Sequence, residues 1–294
     1  MSKNYWRDRE LKHIEKKIKD DEKLAKRLAR NQRRAMREIE KEIEAFYGRY
    51  ASKEGISVEE ARKRAEKLDI EEYRKKAKEY VKEKNFSPRA NEEMRLYNVT
   101  MRTNRLELLK AYLQLEMVAM TEEEYDILLK AMMKDAGNEF KRLSGILGVT
   151  IKYNEKKLKS IVNSSFLNAT WSDRLWNNQD ALRSELDRLL NQAIIQGKNP
   201  REVARDLRKR FDASIYDSER LMRTEMARIR TDVFVDTAEQ VGVEQYEWVA
   251  EPTACDECAE LDGKVFELNE LRIGDNAVPK HPNCMCALAL VYEE

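Results

Sequence analysis

Nine glycines and five prolines are all that punctuate 294 residues. Sheets and barrels consume turn residues every few positions, so a chain this poor in them is restricted to long helices with few connections. Charged residues make up 38% of the sequence, against about 25% in an average globular protein. Hydrophobic residues at 41% suffice for a core and exclude wholesale disorder. The length allows one to three domains of roughly 100–200 residues each.

Periodicity predicts where the helices lie. Leu11, Ile14, Ile18, Leu24 and Leu28 form a thin apolar stripe over residues 1–50. Such a stripe suits a coiled coil or a helix laid along a partner better than one sunk in a core. Ser57-Val-Glu-Glu60 is a capping box and predicts a helix start, and Asn85-Phe-Ser-Pro88 predicts a break. Leu96, Met101, Leu106, Leu109, Tyr112, Leu113 and Leu115 keep helical spacing towards Leu143, with Gly145 to Gly148 marking the end. Further helices are expected over 155–196, with Trp171 and Trp176 near a break. Asn199 then caps a helix with Pro200 at its first position and Glu202 three after the cap. That helix is expected to end near Phe211, and another to run from Ser218 to Val241. After Gly242 the period shortens: Tyr246 and Trp248 alternate like a strand, Asp262-Gly263 signals a turn, Val265-Phe266 reads as a strand, and Ala287 to Tyr292 reads as the last one. The fold class expected is mainly α: long charged helices with a small C-terminal α+β module stapled by zinc. Three segments follow: a helical arm or body over 1–150, a helical part over 151–242, and a β-rich Cys/His module over 243–294.

All four cysteines fall in that last segment, as Cys255-Asp-Glu-Cys258 and His281-Pro-Asn-Cys284-Met-Cys286. A C-x2-C pair sets two thiolates on one tight turn, and zinc takes four nitrogen or sulfur ligands in a tetrahedron. A second cluster downstream can close the site and supply folding energy that a short segment lacks. Cys255, Cys258, His281, Cys284 and Cys286 are five candidates for four places, and spacing leaves open which is spare. A surplus of ligands favours a closed, structural site over one with a position kept for water. Reduced structural thiols, or a disulfide formed outside the cell, are the alternatives.

Net charge is only +1, so any attraction for nucleic acid must be local. Lys23, Lys26, Arg27, Arg30, Arg33, Arg34 and Arg37 form a basic stripe on one helix, with Glu38, Glu40, Glu42 and Glu44 following at once. Phosphate backbones reward such a stripe through counterion release; a solvated face pairing with neighbouring chains is the plainer reading. Glu219 and Arg223 are spaced to pair along a helix. His13 reads as solvated, and Trp171, Trp176, Tyr246 and Trp248 as core. No phosphate-cradling glycine loop, G-x-S-x-G or H-E-x-x-H is present. There is no run of about 18 apolar residues and no apolar signal core, so the expectation is a cytoplasmic protein without a membrane partner.

Taken in order, Arg223-Thr224-Glu225, Trp248, Cys255-x-x-Cys258, Leu261-Asp-Gly263-Lys-Val-Phe266 and His281-Pro-Asn-Cys284-Met-Cys286 resemble the Mu F-like, head-morphogenesis domain of minor head proteins of tailed phages. The resemblance covers roughly residues 160–292. Met285 stands where that family usually has arginine, which weakens any role assigned to that arginine. The resemblance implies a minor capsid protein without enzymatic activity, made in the host cytoplasm and carried into the head of the virion. Its implied partners are the portal, capsid and scaffold proteins and packaged double-stranded DNA, and its helices could support a homo-oligomer. Two other readings stay open. One is a zinc-stapled nuclease with His281 activating water and Asp256, Glu257, Glu260 and Asp262 holding a second metal. The other is a plain DNA-binding module using the basic helix.

Overall fold

The computed structural model describes residues 3–51, 105–196 and 200–291. The capping box at Ser57, the break at Asn85–Pro88 and the cap at Asn199 lie outside them. Among the described residues five helices of a full turn or more precede the sheet: α1 (Lys3–Ala51), α2 (Arg105–Leu147), α3 (Glu155–Val162), α4 (Trp171–Gln196) and α5 (Pro200–Val241). Then come β1 (Gln245–Val249), a single turn α6 (Asp256–Ala259), β2 (Val265–Glu267) and β3 (Ala287–Val291). The fold is mainly helical with a small C-terminal sheet, as the scarcity of turn residues requires.

The chain separates into two compact units, and neither is a continuous stretch of sequence. One comprises residues 1–28, 126–175 and 216–294; the other comprises 29–125 and 176–215. In the second unit, α1 contributes Ala35, Ile39 and Ile43 to a core with Leu109, Leu113 and Met117 of α2, Leu186 and Leu190 of α4, and Leu207 and Phe211 of α5. Asn31 donates to the Met120 carbonyl at 2.8 Å and Gln32 to Glu124 at 3.1 Å, so polar residues on the inner face are also partnered. The C-terminal part of α1 therefore lies along its own chain. Alanines and buried amides widen the packed face beyond what leucine and isoleucine alone outline.

In the first unit, β1 is the central strand of the order β2-β1-β3, antiparallel to both neighbours. Tyr246 and Trp248 pack with Leu288 and Leu290 against Ala227, Phe234 and Ala238 of α5. Ile14 of α1 packs beside Val249 and Ala289. The turn at Asp262-Gly263 does not join β1 directly to β2. It closes the loop that carries α6, and Gly263 at φ +74° donates its N–H to Trp248 O at 2.9 Å.

Two expectations are corrected. No break separates Phe211 from Ser218, because α5 runs unbroken from Pro200 to Val241. The segment Asp212–Asp217 holds neither glycine nor proline, and Phe211, Ile215 and Ser218 are buried at helical spacing. His13 is not freely solvated either. It is mostly buried, with Nε2 at 3.1 Å from a Glu139 carboxylate oxygen. Trp171, Tyr246 and Trp248 are fully buried core residues, and Trp176 is half-buried.

Candidate metal centre

The ligand residues are delivered by two short turns. In α6, Cys258 N–H donates to Cys255 O at 3.1 Å, which brings the two thiols onto one side of a single turn. The other pair repeats this spacing: Cys284 N–H donates to His281 O at 3.1 Å, with Asn283 at φ +66°. Asparagine tolerates the left-handed region better than most residues, so Asn283 suits this corner. Each turn supplies two ligands three residues apart.

Side-chain atoms then meet across the turns. Cys255 Sγ lies 3.1 Å from His281 Nε2, Cys258 Sγ lies 3.3 Å from the same nitrogen, and Cys258 Sγ lies 3.8 Å from Cys284 Sγ. Zinc–sulfur bonds of about 2.3 Å at tetrahedral angles put two sulfurs about 3.8 Å apart. Two overlapping sets have their ligand atoms within 4.8 Å of one another: Cys255, Cys258 and His281, and Cys258, Cys284 and Cys286. Cys258 belongs to both. Cys286 also borders a small cavity lined by Glu10, His13, Glu139 and Arg142.

The donor chemistry fits a metal. His281 Nδ1 is 2.8 Å from the Pro282 carbonyl. An acceptor there requires Nδ1 to carry the proton, which leaves Nε2 with a lone pair directed at the thiols. An outer carbonyl of this kind is the usual partner of a metal-bound histidine. The Cys286 thiol, hydrogen-bonded to Cys284, draws the Cys284 thiol down to about 6. A hydrogen bond from the Cys258 amide lowers Cys255, whereas burial and the neighbouring Cys284 raise Cys258. No disulfide joins the four cysteines.

The Arg223-Thr224-Glu225 motif divides its tasks. Thr224 Oγ1 donates to Arg220 O at 2.7 Å and accepts from Asn283 N at 3.1 Å, so it ties α5 to the ligand turn. Farther along α5, Thr231 Oγ1 donates to Val278 O at 2.6 Å and anchors the strand of chain leading into that turn. Arg223 pairs with Glu219 at 3.6 Å, as their spacing predicts. Glu225 is completely buried, and its partners are two arginines. It accepts from Arg174 and, at 2.7 Å, from Arg228 Nε. Arg228 continues to Ile161 O at 3.0 Å, Val162 O at 3.1 Å and Ser164 Oγ at 2.6 Å. Sequence reading did not single out Arg174 or Arg228; the signal available was Glu225-x-x-Arg228, a pairing at adjacent-turn spacing.

Other predicted residues sit elsewhere. All seven residues of the predicted basic stripe are exposed on α1. Neither metal-competent set among the described residues contains Asp256, Glu257, Glu260 or Asp262. Asp262 instead accepts from the Ala250 amide at 2.8 Å and pairs with Arg7. Among the described residues no helix is long and apolar enough to cross a membrane.

No curated protein and no solved structure matches this chain. The stretch that includes the second half of α4, all of α5 and the five Cys/His residues, residues 184–289, matches the model of the family described as Phage Mu protein F like protein.

Proposed function

We propose that this is a minor structural protein of a tailed-phage head, acting in assembly beside the portal, with a C-terminal module closed around one zinc ion. The observation that carries the reading is the coincidence of the family match over residues 184–289 with the Cys/His cluster inside it. Cys255, Cys258, His281 and Cys284 are the set best linked by short contacts and would hold the ion, with Cys286 as an outer thiol against Cys284. Zinc in such a site supplies folding energy, and the chain's own residues supply the shape: β1 and β3 carry the core, and Thr224 holds the ligand turn to α5.

A non-catalytic role is favoured over a nuclease. Both ring nitrogens of His281 are engaged, one with Pro282 O and one with the thiols, so the imidazole has no nitrogen left to activate water. Incubating the protein with supercoiled plasmid and magnesium tests this, and intact plasmid is the expected result. The head reading is tested by mass spectrometry of particles purified from the source strain. A few copies per portal ring are expected; absence from both procapsids and virions would refute it.

A further inference from the structure

In the second unit, α1 turns a uniform face outwards. Of its described positions between Ala29 and Lys41, the exposed ones are Arg30, Arg33, Arg34, Arg37 and Lys41, and every one is a cation. The residues between them are buried or half-buried, with Ala35 and Ile39 in the core and Asn31 and Gln32 bonded to α2. The face is therefore fixed in orientation by packing on the opposite side. At 3.6 residues per turn these positions fall on one side of the helix, with Arg33 and Arg34 at its two edges and Arg30, Arg37 and Lys41 between them.

Two of the five have ion pairs within this unit among the described residues. Arg34 pairs with Glu123 and Asn31, and Lys41 pairs with Glu38 at 2.8 Å. Alongside, Arg208 of α5 reaches Glu40 of α1 at 2.7 Å, which brings the exposed Arg205 and Lys209 of α5 near the same surface, flanked by Glu202 and Asp212. The contrast with the N-terminal turns of α1 is clear. There the exposed cations Lys19, Lys23, Lys26 and Arg27 are interleaved with exposed Asp20 and Glu22, and Lys23 is paired with Asp20.

Two features select the ligand. From Arg30 to Lys41 the helix rises by eleven steps, about 16 Å at 1.5 Å per residue, and a DNA strand carries one phosphate per roughly 3.4 Å of axis. About five phosphates of one strand thus lie along the face, matching its five charges. Second, among the described residues none of the large exposed hydrophobics, Val149, Leu167, Tyr216 and Val265, lies on this face. Protein interfaces rely on buried aromatic or aliphatic anchors, and base readout or stacking needs polar forks in a groove or aromatic platforms. Four of the five cations are arginines, whose planar forks match phosphate oxygens.

We propose that the outward face of α1 formed by Arg30, Arg33, Arg34, Arg37 and Lys41 binds the phosphate backbone of double-stranded DNA without reading its sequence. The proposal is independent of the metal site and of the head assignment. It places the contact C-terminal to the middle of the stripe read from sequence.

The test is fluorescence anisotropy of the full chain with a labelled random-sequence duplex, titrated across sodium chloride concentrations. Binding should weaken linearly on a log–log plot. The triple variant Arg30→Gln, Arg33→Gln, Arg37→Gln should reduce the slope by about three, at roughly 0.9 per phosphate, and weaken binding tenfold or more at low salt. Glutamine keeps helix propensity, so circular dichroism should match the parent. The charge-matched control Lys152→Gln, Lys156→Gln, Lys159→Gln, on exposed positions of the other unit, should leave the slope unchanged. Salt-independent binding, no binding at low salt, or equal losses in both triple variants would overturn the proposal. So would displacement of the DNA by polyglutamate at equal charge concentration, which would reveal a face for acidic protein instead.

Discussion

Thr224 and Arg228 lie four residues apart on α5 and serve different loops. Thr224→Val keeps the shape of the side chain and removes the hydroxyl that accepts from Asn283 N–H. The loss leaves a backbone donor short of a partner, so stability should fall by about 1 kcal/mol. Because outer-shell contacts hold ligands in place, zinc affinity should fall about tenfold, measured by competition with a chromophoric chelator. Unchanged affinity would show that the ligand turn holds itself. Arg228→Met is harsher. It leaves the fully buried Glu225 with Arg174 alone as its cation and takes this donor from the Ile161 and Val162 carbonyls. Breaking a buried pair on one side costs about 3–5 kcal/mol, readable as a lower denaturant midpoint with zinc content unchanged.

A second buried group of charges links α1 and α2 inside the same unit. Burial alone would raise Glu139, but Arg142 and His13 hold its carboxyl well below the usual range. A depressed carboxyl contributes stability above its unfolded value, and that contribution is lost as pH falls through the folded value. Burial pushes the neighbouring Glu10 the other way despite Arg142; its contribution is present below the unfolded value and is lost as pH rises. Glu139→Gln should therefore be destabilising near neutrality, with the gap from the parent closing as pH drops below the ordinary glutamate range. Chemical denaturation at several pH values measures this. A gap that stays constant with pH would contradict the role given to Glu139.

At the scale of elements, the continuity of α5 is the point on which sequence and structure part. Asp212-Ala-Ser-Ile-Tyr-Asp217 reads as a connection because polar residues cluster there, yet Phe211 and Ile215 bury one helical line through it. If the helix is continuous, Ala213→Pro should cost about 3 kcal/mol and Ala213→Gly about 1 kcal/mol; in a loop both would be nearly neutral. The thermal midpoint of the full chain distinguishes the two cases. The strands were legible because Tyr246 and Trp248 alternate and because Ala287-Leu-Ala-Leu-Val291 follows two ligand residues closely. The helix start at Trp171 was not read, although Thr170 and Asp173 form reciprocal cap bonds of 3.1 and 2.9 Å. Its Thr-x-x-Asp spacing was present but lacked the usual glutamate. The seat of α1 on its own chain was illegible for a different reason: small alanines and buried amides carry little hydropathy, and their partners are distant in sequence.

For the whole molecule, the ligand types of the candidate centre were visible as two clusters in the last forty residues. Their convergence depends on β1 and β3 pairing, from Gln245 with Val291 to Val249 with Ala287, which sets the flanking turns side by side. That the compact units interleave distant segments has no local signature at all, since it arises from pairings between helices far apart in the chain. A bound metal is what the proposed closure of the C-terminal module requires. The most direct measurement is zinc content of the natively purified full chain by elemental analysis, with X-ray absorption at the zinc edge. One zinc per chain, with three sulfurs near 2.3 Å and one nitrogen near 2.0 Å, is the result predicted. Metal-free protein that takes up no zinc on titration and keeps the protease resistance of residues 243–291 would contradict it.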